Sequence, residues 1–270
     1  MIIGPVFLSD VRLISRLVYR SDPDGPVAAR DQLMAARDQL VRYSARLLDD
    51  GLAVGSAGNM SVRLAGTPAG DALAGDAPVA DTVAITPSGV SYAEMRPRDI
   101  CLVAADGTEL PEGTGPPEGN TETPSSETPM HLAIYAATRA AAVVHTHSPE
   151  VVALSAARTE LPAIHYAITG LGGPVRVAPY VRFGSAGLAA AAVEALDGRS
   201  AVILRNHGAV TYGRDLAQAY DRALLLEWLA RTYRLALSYG EPAILSAAEL
   251  DEVTAESRRR RYGERRGGAS

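Results

Sequence analysis

Apolar and polar positions along the chain change period several times. From Val27 to about Asp50, Leu33, Leu40, Tyr43 and Leu47 recur three, four or seven apart and Gly51 follows as a stop, which predicts an amphipathic helix. The Arg-Asp-Gln-Leu repeat at Arg30 and Arg37 has heptad spacing over only two units, so the helix reads as a surface helix and not as a coiled coil. Alternation over 56–64 and short β-rich runs over 81–89 and 100–107 read as strands, and a helical pattern begins at Met130. Residues 141–147 form an apolar run ending on polar residues, and Ser148-Pro149-Glu150 opens the next helix as an N-cap followed by proline. Segments 161–168, 175–180 and 201–213 are further strand candidates, with helices over 185–196, 215–239 and 246–257.

Strands and helices that mix without regular alternation predict an α/β protein of the α+β type. Its single domain would hold a central mixed, mostly antiparallel sheet covered by helices on both sides. Breaker-rich SDPDGP sets off residues 1–26 as an N-terminal extension, 27–257 is the main, catalytic domain, and 258–270 is a basic C-terminal tail. The small-residue stretch 65–80 reads as an insertion or hairpin tip.

Composition narrows the chemistry. All 26 basic side chains are arginine, so no lysine is available for a Schiff base, a pyridoxal phosphate linkage or a Walker A phosphate loop. By surface scaling a chain of this size buries roughly 73% of its extended surface, enough for one core. The aromatic share of 5% leaves aliphatic residues and alanine to fill it. A formal charge of -5 argues against a nucleic-acid or anionic-membrane partner. One cysteine, Cys101, forms no internal disulfide, the N-terminus makes a poor signal peptide, and no apolar run approaches ~18 residues, so a cytoplasmic protein is expected.

Five short segments can carry chemistry. His145-Thr-His147 places two imidazoles on one face of a strand end, where they form a metal half-site or a structural pair bonded to backbone. His207 stands where the apolar run 201–210 breaks at Arg-Asn-His-Gly. Pro124-Ser125-Ser126-Glu127 precedes a helix, either as a capping sequence or as an anion site with a proton-transferring carboxylate beside it. Ser56-Ala-Gly-Asn59 and Thr86-Pro-Ser88-Gly89 are small-residue turns of a kind that can offer N–H groups to a phosphate.

The ordered set, with Pro-Ala-Ile-His-Tyr166 between the last two histidines, resembles the class II aldolase/adducin head family from about Arg30 to about Arg265. The resemblance implies Zn²⁺ held by His145, His147 and His207 with Glu127 as a further ligand and as acid/base. It also implies a phosphate cradle of Ser56, Asn59, Ser88, Gly89, Ser125 and Ser126, although Ser56 and Ser88 stand where threonine is expected. Tyr166 matches a tyrosine that reaches a neighbouring subunit's site. Tyr262-Gly-Glu-Arg265 resembles a tail that closes over the site with a tyrosine and a phosphate-binding arginine. The implied protein is a homotetramer with sites between subunits, cleaving a ketose 1-phosphate to dihydroxyacetone phosphate and an aldehyde through a metal-stabilised enediolate. Epimerase, dehydratase and decarboxylase activities on the same scaffold, and a non-catalytic adducin-like module, remain the alternatives. Glu at position 127 favours aldol cleavage, and the intact histidine set favours an enzyme.

Overall fold

The computed structural model describes residues 26–64, 82–104 and 122–260. Most of the expected N-terminal extension, the 65–80 insertion, Tyr262 and Arg265 lie outside the described residues.

Helix α1 (Pro26–Asp49) is followed by β1 (Asn59–Leu64), β2 (Thr82–Ile85) and β3 (Cys101–Ala104). Helix α2 (Thr128–Ala137) leads to β4 (Ala142–Thr146), α3 (Pro149–Ala157), β5 (Glu160–Leu161) and β6 (Val175–Ala178). Helix α4 (Ala186–Ala195), β7 (Ala201–Leu204), β8 (Gly208–Gly213), α5 (Leu216–Leu237) and α6 (Ala247–Arg259) complete the described elements. The strands form one 8-stranded sheet in the order β3-β2-β1-β4-β8-β7-β6-β5. Among the described residues every pairing is antiparallel except β6 with β7, so the sheet is mixed and mostly antiparallel, as expected.

Strand side chains alternate between the two faces of the sheet. On β4, Ala142 and Val144 join a cluster with Leu40 and Leu47 of α1 and Tyr220 of α5. Val143 faces the other way, into a cluster with Ile134 of α2 and Leu188 and Ala192 of α4. On β7, Ile203 packs with Val151 of α3 and Leu226 and Leu229 of α5, while Val202 and Leu204 join the α2/α4 side. Helices therefore cover both faces, and every residue of β4 is buried.

Two local expectations differ. Segment 161–168 is a strand only through Leu161; Tyr166–Leu171 forms a 3₁₀ helix instead. Pro162 has no N–H for a ladder, the Ile164 N–H closes a turn on the Pro162 carbonyl, and the His165 ring accepts the Ala167 N–H as a cap. Helix α6 runs past the expected boundary at residue 257, because Glu256 pairs with Arg259 and Arg260 one turn on.

Candidate active site

Four of the expected residues meet at one end of the sheet. His145 is the fully buried penultimate residue of β4, His147 follows just beyond the strand, and His207 sits in the tight turn between β7 and β8. Arg205 fixes that turn by donating to the Ser155 and Arg158 carbonyls at the end of α3, and the Asn206 N–H donates to Ser155 Oγ at 2.9 Å. Gly208 has no room for a Cβ, which would fall 2.1 Å from the Thr146 carbonyl oxygen.

The three imidazoles contact one another edge to face, with ring centroids 4.8–4.9 Å apart. Glu127 stands at the N-cap position of α2, yet its carboxylate makes no capping bond. Instead Oε2 lies 2.9 Å from His145 Nε2, and Oε1 lies 3.4 Å from His207 Nε2. The ligand atoms of Glu127, His145, His147 and His207 all lie within 4.8 Å of one another.

This cluster suits a divalent cation on two observations. His145 Nδ1 is 2.9 Å from the Ala209 carbonyl, which can only accept, so Nδ1 carries the ring proton and a neutral ring turns a bare Nε2 inward. That lone pair faces Glu127 Oε2 at 2.9 Å, two acceptors whose repulsion a cation between them relieves, and His147 Nε2 lies at the same distance from it. In addition, Glu127 Oε1 is buried without a hydrogen bond among the described residues. Burial, reinforced by neighbouring imidazoles, lowers His147 to a pKa of about 3 and His207 to about 4, keeping both in the neutral form a metal requires. Burial raises the Glu127 carboxyl, but a proton held on His145 or His207, together with the hydrogen bond from Asn59, outweighs it and keeps the group below the ordinary carboxylate range, so a proton entering the metal-free cluster resides on an imidazole and not on Glu127. Three imidazoles and a carboxylate are a donor set that suits zinc.

A cavity of about 360 Å³ opens beside the cluster. Its lining includes Ser56, Asn59, Ser88, Gly89, Ser125 and Ser126, the six residues expected at a phosphate cradle, together with Glu127, His147 and His207. The three turns are fastened to one another: Thr86 Oγ1 accepts the Met60 N–H, and the Ser125 N–H donates to the Thr86 carbonyl. The Ser88 N–H is already bonded to the Thr123 carbonyl, so that turn brings the Ser88 hydroxyl and Gly89 to the cavity but not the Ser88 amide. Tyr180, Val181 and Phe183 add an apolar wall that the sequence reading did not identify. Tyr166 is not part of this lining and is 55% exposed on the 3₁₀ helix.

Residues 38–234 match the Class II Aldolase and Adducin N-terminal domain, most of the chain, and the protein belongs to that family. Among its relatives, the 5-deoxy-D-ribulose 1-phosphate aldolase of Bacillus thuringiensis serovar kurstaki is 35% identical over 224 residues, covering 82% of this chain and 94% of that protein. The 5-methylthioribulose-1-phosphate/5-deoxyribulose-1-phosphate aldolase of Rhodospirillum rubrum is 37% identical over 222 residues, 82% of this chain and 90% of that protein. A solved L-fuculose 1-phosphate aldolase superposes with a TM-score of 0.72 at 32% identity, over 83% of this chain and 96% of its own. The chain is an enzyme, a lyase of the class II aldolase kind.

Proposed function

We propose that this enzyme cleaves a deoxyketose 1-phosphate, 5-deoxyribulose 1-phosphate or an L-fuculose 1-phosphate-like sugar, to dihydroxyacetone phosphate and an aldehyde. The observation that carries the reading is the position of Glu127, which touches the histidine cluster and lines the cavity bordered by the hydroxyl-rich turns. The names of the relatives support the substrate class.

His145, His147 and His207, with Glu127, would hold Zn²⁺. When bound, such an ion supplies Lewis acidity toward the oxygens of a substrate carbonyl and its neighbouring hydroxyl. Ser56, Asn59, Ser88, Gly89, Ser125 and Ser126 receive the phosphate, with Arg265 of the tail as its cationic partner in place of any lysine. Glu127, held ionised, takes and returns the proton at the carbon next to the carbonyl. The wall of Tyr180, Val181 and Phe183 offers apolar contact to the carbon chain of the sugar. Tyr166 serves the site of a neighbouring subunit in a homotetramer, a role suited to its exposure, and Tyr262 assists at the aldehyde oxygen. The domain limits of 27–257 and a cytoplasmic location belong to the same reading; no helix among the described residues is long and apolar enough to cross a membrane.

The test is incubation of the zinc-loaded enzyme with 5-deoxyribulose 1-phosphate, ribulose 1-phosphate and fuculose 1-phosphate, followed by assay for dihydroxyacetone phosphate. Release from at least one sugar is expected. No release from any of them removes aldol cleavage as the activity.

A further inference from the structure

A line of hydrogen bonds runs from Glu127 into the core, and chemistry allows it only one polarity. Asn59 Nδ2 donates to Glu127 Oε2 at 3.0 Å. Asn59 Oδ1 is 2.6 Å from His131 Nε2, His131 Nδ1 is 2.7 Å from Ser61 Oγ, and Ser61 Oγ is 2.8 Å from the Tyr135 hydroxyl. Asn59, Ser61, His131 and Tyr135 are all buried, so water does not substitute for any member.

An ionised carboxylate only accepts, so the nitrogen end of the Asn59 amide must face Glu127 and the oxygen end must face the ring. That oxygen cannot donate, so His131 carries its proton on Nε2. Nδ1 then accepts from the Ser61 hydroxyl, whose oxygen in turn takes the Tyr135 O–H. Burial supports each assignment: it lowers the imidazole of His131 to a pKa of about 3, leaving it neutral, and it raises the Tyr135 phenol, which keeps its proton.

An amide is nearly symmetric in shape, so shape alone does not stop Asn59 from turning over. A turned amide would set its carbonyl oxygen against the Glu127 carboxylate and its N–H₂ against a ring nitrogen that already carries a proton. We propose that His131 is a positioning residue of the reaction. It fixes the orientation of the Asn59 amide, and through Asn59 it holds the Glu127 carboxylate with Oε2 tied and Oε1 left beside His207. Nothing in this role requires His131 to touch substrate or metal. Only its kinetic consequence rests on the aldolase reading.

Two measurements decide it without turnover. In the metal-free wild-type protein, nitrogen NMR of His131 should show a neutral ring protonated on Nε2; a ring protonated on Nδ1, or on both nitrogens at neutral pH, overturns the proposal. One Asn59 side-chain amide proton should be protected from exchange by Glu127. In His131→Phe, which fills the space without donating, that protection should drop by about tenfold or more, and His131→Gln, whose amide can donate from the position of Nε2, should restore most of it. Unchanged protection in His131→Phe also overturns the proposal. For turnover, His131→Phe should lower kcat/KM by about 10- to 100-fold, as expected for a residue that orients a reacting group from behind. In an Asn59→Ala background the same change should add less than about twofold, whereas multiplying effects would mean that His131 does not act through Asn59. If no sugar phosphate is cleaved, the aldolase reading fails while the two NMR measurements still judge the positioning.

Discussion

A Cβ on Gly58 would lie 2.6 Å from the carbonyl oxygen of His145, so the turn before β1 passes the histidine-bearing strand at a distance only glycine permits. Gly58 also has φ 83, in the left-handed region that side chains avoid. Gly58→Ala should therefore destabilise the fold by about 2 kcal/mol or more, through backbone strain and overpacking together. Gly55, with φ 65 and nothing within 4 Å of its added Cβ, isolates the first effect, and Gly55→Ala should cost about 1 kcal/mol. Urea unfolding of the two variants checks this; equal midpoints would show that the approach to His145 carries no penalty.

Replacing Glu127 by glutamine leaves the three imidazoles in place and removes the group assigned to move the proton. The glutamine oxygen can still accept from Asn59 at the Oε2 position, which puts its N–H₂ beside His207. Glu127→Gln should keep near-stoichiometric zinc, since three protein ligands suffice for a catalytic site, while kcat falls about 100- to 10,000-fold. Metal analysis beside steady-state kinetics separates the two effects, and near-normal turnover would take Glu127 out of its role.

Much of this site was legible because its chemistry follows strand geometry. The two-residue spacing of His145 and His147 implied a shared face, and their Nε2 atoms do stand 2.9 Å apart. The break at Arg-Asn-His-Gly implied a turn with close backbone approach, which Gly208 supplies. The hydrogen-bonded residues behind Glu127 were not read. His131 lies four residues after Glu127 on α2, and Ser61 two after Asn59 on β1, so the spacing was available, but a buried polar residue in an apolar run gives no sign of its partner. The use of the Ser88 N–H by Thr123 depends on a pairing between segments far apart in sequence, which local periodicity does not encode. Segment 161–168 misled because its β-rich composition outweighed Pro162, which the fold uses to leave the sheet at Leu161.

His131 should also make the metal-free protein acid-sensitive. Burial lowers its folded pKa to about 3, well below the ordinary histidine value of 6.5, so the unfolded chain takes up the proton first as the solution is acidified. The contribution of His131 is complete above about pH 6.5 and is lost as pH falls toward 3, at up to about 1.4 kcal/mol per pH unit. His147 and His207 act in the same direction. Urea titrations of chelated wild type and His131→Gln between pH 7 and 4 should differ in slope by up to one proton, with the variant flatter; parallel curves would mean that His131 takes up its proton as readily in the fold as in the unfolded chain.

Zinc should stabilise the fold as well as serve the proposed reaction, because the four donors proposed for it come from the N-cap of α2, β4 with the residue just after it, and the β7–β8 turn. An ion that binds only the folded chain, at 100 times its dissociation constant, adds about 2.7 kcal/mol, or roughly 5–10 °C in Tm for a domain of this size. Chelation followed by zinc addition in a thermal melt should show that rise. His207→Ala, which removes one donor, should show much less of it. Since burial lowers His147 and His207 to about 3 and 4, protons do not compete for these two donors at pH 6, and the zinc-dependent gain seen at pH 7 should remain there. A gain that vanished already between pH 7 and 6 would mean that the donor cluster takes up a proton near the ordinary histidine value, and that burial does not hold it ready for a metal.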